Sequence, residues 1–131
     1  MRRTLVPSGW TITQLLNHLA FDDEIFWISA VLGGDERAIA GLHNGWASEP
    51  MTGAAAIYIY KREIARSDEV LAKIDLDAPP RWGPPTSVFD APPMSKGREV
   101  LFRVLAETSV HAGHLDIVRE LIDGHQNLVV G

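Results

Sequence analysis

The segment between Asp75 and Met94 limits what this chain can fold into, because it cannot continue a helix. Its core, APPRWGPPTSVFDAPP, contains six prolines, and proline both removes a backbone donor and clashes with the preceding helical turn. Apolar residues at helical spacing fill the long stretches before and after this segment. The sequence therefore predicts an all-α fold, an antiparallel helical bundle interrupted by one proline-rich connection.

The predicted helices have recognisable start and stop signals. Thr11 and Gln14 have the spacing of a capping box, and Thr52 and Ser95 are the expected caps of the two later helices. Glycines at Gly33–Gly34 and at Gly124 are the expected stops of the first and last helices. We expect long helices near residues 12–32, 53–74 and 96–123. The stretch GLHNGWASEP between the first two is predicted to be an irregular connection.

Length and charge restrict the class of protein. At 131 residues the chain is long enough for one domain with its own core. It carries 12 Lys and Arg against 17 Asp and Glu, a net charge of -5, and no basic run with interleaved aromatic residues. Nucleic acid is therefore not an expected partner.

Hydropathy and cysteine content restrict the location and the chemistry. No apolar run reaches the roughly 20 residues that cross a bilayer, because the acidic run Asp22 to Glu24 interrupts the longest one. The first ten residues, MRRTLVPSGW, lack the apolar region of a secretory signal. We expect a cytoplasmic protein with no membrane partner. Cysteine is absent, so any thiol chemistry requires a thiol from outside the chain.

The predicted last helix places ionisable side chains where a bundle normally has leucines. In ETSVHAGHLDIVREL, the side chains of Glu107, His111 and His114 fall in the middle of the apolar arc at about 100° per residue. Burying an unpaired carboxylate costs several kcal/mol. These three groups therefore need partners inside the bundle.

The first helix contains a second inward-pointing ionisable group. His18 lies among apolar residues on its own helical face, with Asp22 one turn further on. Glu107 and His111 are one turn apart on theirs, the spacing at which two side chains can hold one ion. We predict a divalent metal site formed by His18, Glu107 and His111. This donor set suits zinc, nickel, iron(II) or manganese, with zinc and nickel ranked first.

Each of these residues also has a simpler structural interpretation. A single Glu-x3-His pair, or a single histidine near a core, is more often hydrogen-bonded than metal-bound. His114 could be a fourth ligand, a hydrogen-bond partner of a ligand, or an acid/base group. Asp22 could accept a hydrogen bond from a ligand, act as an acid/base group, or lie at the rim. His43 and His125 are expected in loops, in contact with solvent.

Two motifs carry a family resemblance. The stretches VPSGWTITQLLNHLA and LAETSVHAGHLDIVRELIDG resemble the DinB-like superfamily of metal-binding four-helix bundles, as a single domain over residues 1–131. They are most similar to an actinobacterial branch related to mycothiol-dependent maleylpyruvate isomerase. In that isomerase, the first of the two metal ligands on the last helix is a glutamate. Position by position, the resemblance assigns the metal ligands to His18, Glu107 and His111, with His114 following in HAGH.

The resemblance implies an activity. It implies a metal-dependent enzyme that activates a low-molecular-weight, mycothiol-like thiol or a water for transfer to, or isomerisation of, a small electrophilic substrate. His114 or Asp22 would then move the proton. The alternative is a non-catalytic dimeric helical module that binds a metal or a small ligand at an inherited site.

The resemblance also implies an assembly. Relatives have a further helix before the VPSGW loop, so we expect a four-helix bundle that lacks its first helix. The helix predicted at residues 12–32 has a wide apolar arc, formed by Leu15, Leu16, Leu19, Phe26 and Trp27. Large exposed apolar patches are uncommon on monomers. We therefore expect a homodimer whose interface is built mainly from this helix.

Overall fold

A computed structural model describes residues 9–45 and 52–127. Within these ranges the chain is helical and contains no strand, which confirms the predicted all-α fold. The elements, in chain order, are α1 (Ile12–His18), a π-helix (Leu19–Leu32), α2 (Glu36–Gly45), α3 (Gly53–Leu71) and α4 (Gly97–Asp123). None of these helices is long and apolar enough to cross a membrane.

The predicted first helix is a continuous rod of two kinds of helix. Its capping box is confirmed: the Gln14 amide donates to Thr11 Oγ1 at 3.2 Å, and the Thr11 amide donates to Gln14 Oε1 at 2.9 Å. From Leu19 onward the backbone pairs as a π-helix, which is wider than an α-helix. The rod ends with the Gly33 amide bonded to the Ile28 carbonyl at 2.9 Å.

Helix α2 extends into the stretch GLHNGWASEP that the sequence predicted to be an irregular connection, and that prediction is wrong for residues 41–45. Asp35 starts the helix, because its Oδ1 accepts a hydrogen bond from the Ala38 amide at 2.9 Å. The glycines and asparagine of the segment have low helix propensity, and local pattern alone therefore favoured a loop. The remainder of that connection, residues 46–50, lies outside the described residues.

The later helices begin and end close to their predicted bounds. Thr52 caps α3, with its Oγ1 accepting from the Ala55 amide at 3.2 Å, but α3 ends at Leu71 and not near residue 74. Residues 79–93 contain no helix, as the prolines predicted. Helix α4 begins one residue later than expected, at Gly97, because Glu99 reaches back and accepts from the Ser95 amide at 2.7 Å.

The rod lies at the centre of the fold and packs against α2, α3 and α4. Its apolar residues Leu15, Leu19, Phe26 and Trp27 are all buried within the chain. Leu16, the fifth apolar residue of the expected dimer interface, is half-buried, so little of that apolar arc remains exposed on this helix. The large exposed apolar side chains of α4 are Phe102, Leu105, Val110, Ile117, Leu121 and Ile122.

Candidate metal centre

The three predicted ligands converge in the structure. His18 is the last residue of α1, and Glu107 and His111 lie one turn apart on α4, which packs against the rod. One nitrogen or oxygen from each side chain lies within 4.8 Å of the other two. All three side chains are half-buried. They form one cluster, which we call the triad.

The two histidines and the carboxylate of the triad are close enough to share one ion. His111 Nε2 lies 3.6 Å from Glu107 Oε2, and the rings of His18 and His111 are 4.7 Å apart. His111 Nδ1 is buried and finds no hydrogen-bond partner among the described residues. A buried polar atom without a partner costs about 1–3 kcal/mol. Coordination of an ion through Nδ1 would remove that cost.

Trp10 forms one wall of the triad. Its ring centroid lies 5.2 Å from that of His18 and 6.2 Å from that of His111. The indole is half-buried and shields one side of both imidazoles from water.

Arg103 restrains the carboxylate of the triad, and sequence reasoning missed it. Its guanidinium carbon lies 4.6 Å from the Trp27 ring centroid and 4.7 Å from that of Phe89, a pair of cation–π contacts. Its Nη2 lies 3.6 Å from Glu107 Oε1. The i, i+4 spacing of Arg103 and Glu107 was visible in the sequence. The contribution of Phe89 was not, because it comes from the proline-rich segment.

The electrostatics of the site also involve Asp22. Burial lowers the pKa of His18 from its ordinary value, against the opposing effect of Asp22. Burial raises the pKa of Asp22, while the charges of His18, Glu107 and Arg103 all act on it. Asp22 is therefore part of the electrostatic environment of the triad.

Asp23 is a buried carboxyl beside the site, and no sequence pattern pointed to it. Its side chain is 1% exposed, and Thr108 Oγ1 donates to Asp23 Oδ2 at 2.6 Å. Burial raises its pKa to about 7, opposed by the Thr108 hydrogen bond. This bond joins the π-helix to α4 at the residue after Glu107.

The remaining histidines do not join the triad. His114 is half-buried on α4, and among the described residues no hydrogen bond or ion pair connects it to the triad. His125 is exposed beyond the end of α4, and its amide donates to Asp123 Oδ1 at 2.9 Å. His43 belongs to α2 and not to the predicted loop.

Comparison with known proteins tests the resemblance of the two motifs. No curated protein and no solved structure matches the chain. A family model described as mycothiol S-transferase matches residues 1–124, which include both motifs and the whole triad. This match covers nearly the entire chain, and it agrees with the mycothiol-related branch that the two motifs indicated. The chain therefore belongs to the mycothiol S-transferase family.

Proposed function

We propose that this protein is a metal-dependent S-transferase that passes a low-molecular-weight, mycothiol-like thiol to a small electrophilic substrate. The observation that carries the proposal is the convergence of His18, Glu107 and His111 from two helices, with their donor atoms within 4.8 Å of one another. Membership of the family supports the thiol as cosubstrate. The chain has no cysteine, so the reacting sulfur would come from that cosubstrate.

The residues of the triad fit a divalent metal ion. Two imidazoles and one carboxylate suit zinc or nickel, and also iron(II) or manganese, while leaving positions free for a further ligand. The donor atoms of the three residues lie within 4.8 Å of one another, which is close enough for one ion to reach all of them. When bound, the ion would lower the pKa of a thiol or a water and hold its anion.

The side chains around the triad have separate roles in this proposal. Arg103 holds the Glu107 carboxylate in place through its contact at 3.6 Å, and Trp10 excludes water from one side. A carboxylate oxygen of Asp22 accepts the proton that the thiol loses, since its raised pKa makes it a stronger base than an exposed aspartate. We favour Asp22 over His114 for this step because the charges of His18 and Glu107 act on its carboxyl group.

The test is metal content together with turnover. We expect elemental analysis of the purified protein to find about one equivalent of divalent metal, and thiol addition to an epoxide to stop when the metal is chelated. Glu107→Gln and His111→Ala should each lower metal content and turnover strongly while helix content by circular dichroism stays near wild type. His125→Ala is the matched control, because that imidazole is exposed and outside the triad.

The outcomes separate this proposal from its alternatives. Turnover that persists without added thiol would identify water as the nucleophile. Bound metal without turnover on any electrophile tested would favour the non-catalytic module. Absence of metal after expression in medium supplemented with zinc or nickel would refute the site itself. The proposal places the protein in the cytoplasm, where small thiols are kept reduced.

We also propose that the protein is a homodimer, formed through the exposed apolar face of α4. Val110 is 68% exposed and Phe102 66%. Large apolar side chains that are exposed together on one face commonly mark an interaction surface. An added Cβ at Gly113 would meet nothing within 4 Å. Another helix could therefore approach closely at that point.

The spacing of residues along α4 suits a second copy of the same helix. Phe102 and Leu121 are equally distant in sequence from the bond between His111 and Ala112, and so are Val110 and Gly113. A two-fold axis crossing α4 at that bond would place Phe102 against Leu121, and Val110 against Gly113, between two antiparallel copies of the helix. This self-complementarity favours a homodimer over an unrelated partner.

A further inference from the structure

A cleft of about 510 Å³ lies between the π-helix, α2 and α3. No residue of α4 lines it, and none of the triad does. Its half-buried apolar surface comes from Phe21, Ile25, Val70 and Ile74. The cleft is therefore a concave surface separate from the candidate metal centre.

The charge of this cleft is opposite in sign to that of the chain. Five of the 12 lysines and arginines line it, together with only three carboxylates, in a protein of net charge -5. The basic residues are Arg37, Arg62, Arg66, Lys73 and Arg81. A cluster of cations on one concave surface of an acidic protein favours the binding of an anion there.

One wall of the cleft is a fixed cationic cluster. Glu63 is 2% exposed and accepts from Arg62 Nε at 2.6 Å and from Arg66 Nη1 at 3.1 Å. One carboxylate thus holds two guanidinium groups, which leaves the cluster with one net positive charge. Both arginines remain partly exposed to the cleft, 44% and 60%. Because Glu63 restrains them, less side-chain entropy is lost when they meet a ligand.

The other cations of the cleft come from separate parts of the chain. Arg37 belongs to α2, Lys73 follows α3, and Arg81 lies in the proline-rich segment. Among the described residues none of the three forms an ion pair. The carboxylate of Asp35, which also lines the cleft, accepts a hydrogen bond from the Ala38 amide at 2.9 Å. These cations are therefore available to a ligand.

We propose that this cleft binds a small organic anion, with its carboxylate or phosphate group among the cations and its apolar part against Phe21 and Ile25. Basic and apolar groups on one concave surface recognise both halves of such a molecule. The proposal does not depend on a metal at the triad, because the two sites share no residue.

The test is a residue-resolved titration of the ¹⁵N-labelled protein by nuclear magnetic resonance, with phenyl phosphate, benzoate and uncharged benzyl alcohol. We expect phenyl phosphate or benzoate to shift the amide signals of cleft residues such as Val70 and to saturate, with benzyl alcohol binding much more weakly. The stronger of the two anions identifies the head group. Lys73→Gln combined with Arg81→Gln should weaken binding by about fivefold or more. Lys61→Gln combined with Arg119→Gln, two cations outside the cleft, should leave it unchanged.

Three results would each overturn the proposal. The first is equal affinity for benzyl alcohol and the anions, which would make the cleft merely apolar. The second is unchanged affinity in the cleft double variant, provided that its spectrum shows the native fold. The third is the absence of saturable shifts at cleft amides.

Discussion

Replacing Asp23 by asparagine should change how the stability of this protein depends on pH. The carboxyl is 1% exposed, and its pKa is raised from 3.8 to about 7, chiefly by burial. The charges of Asp22, Glu24 and Glu107 raise it further, whereas the Thr108 hydrogen bond lowers it. Asp23 therefore keeps its proton in the folded chain at pH values where the unfolded chain has lost it.

The sign of the effect follows from this difference. Because the folded state holds the proton more tightly, Asp23 does not lower the free energy of unfolding below about pH 4. Above that pH it lowers this free energy increasingly, until the pH passes about 7. At 1.36 kcal/mol per pH unit, the rise from 3.8 to about 7 corresponds to at most about 4 kcal/mol. Asparagine carries no charge at any pH. Its carbonyl can still accept from Thr108, but its amide hydrogens lose about 1–2 kcal/mol if they find no acceptor.

The assay is urea unfolding of the wild type and Asp23→Asn between pH 5 and 8, with a chelator present throughout. We expect the variant to be about as stable as the wild type at pH 5 and more stable at pH 8, by about 2–3 kcal/mol. Asp90→Asn, at an exposed carboxylate, is the matched control and should show no such trend. A difference between wild type and Asp23→Asn that stays constant from pH 5 to 8 would refute the reasoning.

Further predictions concern packing and assembly. Arg103→Gln removes the charge between two aromatic rings and should lower the unfolding free energy by about 1–2 kcal/mol in urea titrations. Gly97→Ala should lower it by about 1–3 kcal/mol, because an added Cβ would lie 2.9 Å from Leu32 Cδ1 and 3.4 Å from the Leu76 backbone. Val110→Glu should convert the proposed dimer to a monomer in light scattering at micromolar concentration, since it places a charge at the centre of the α4 face.

Each of these predictions has a contrary outcome, and two of them have a matched control variant. Gly41→Ala, where an added Cβ meets nothing within 4 Å, should not destabilise, and equal losses at Gly41 and Gly97 would argue against the clash. Val88→Glu, at a 51% exposed side chain in the proline-rich segment, should leave the assembly unchanged. A wild-type monomer would contradict the proposed dimer. Arg103→Gln with wild-type stability would show that the two ring contacts contribute little.

Features set by short-range chemistry were predictable from the sequence. The capping box of Thr11 and Gln14 needs only a few adjacent residues, and so does the left-handed stop at Gly124, with φ 73. The spacing of Glu107 and His111 follows from the period of one regular helix. His18 lies at the end of α1, before the backbone widens, and the α-helical period still applies there.

Features that depend on distant parts of the chain were not predictable in the same way. The π-helix changes the angle per residue after Leu19, and an α-helical projection therefore does not describe the rest of the rod. Phe89 reaches Arg103 only because the proline-rich segment folds over α4. The partner of Asp23, Thr108, is 85 residues away in sequence. No local pattern encodes such pairings.

The position of Trp10 gives the protein an internal optical probe. Its indole lies 5.2 Å from the ring of His18 and 6.2 Å from that of His111, close enough for its emission to respond to what these imidazoles bind. Open-shell nickel(II) quenches indole fluorescence strongly, whereas zinc(II), with a filled d shell, does not. The difference spectrum between wild type and Trp10→Phe removes the emission of the other tryptophans. Its response to each ion therefore distinguishes zinc from nickel at the triad without an added label.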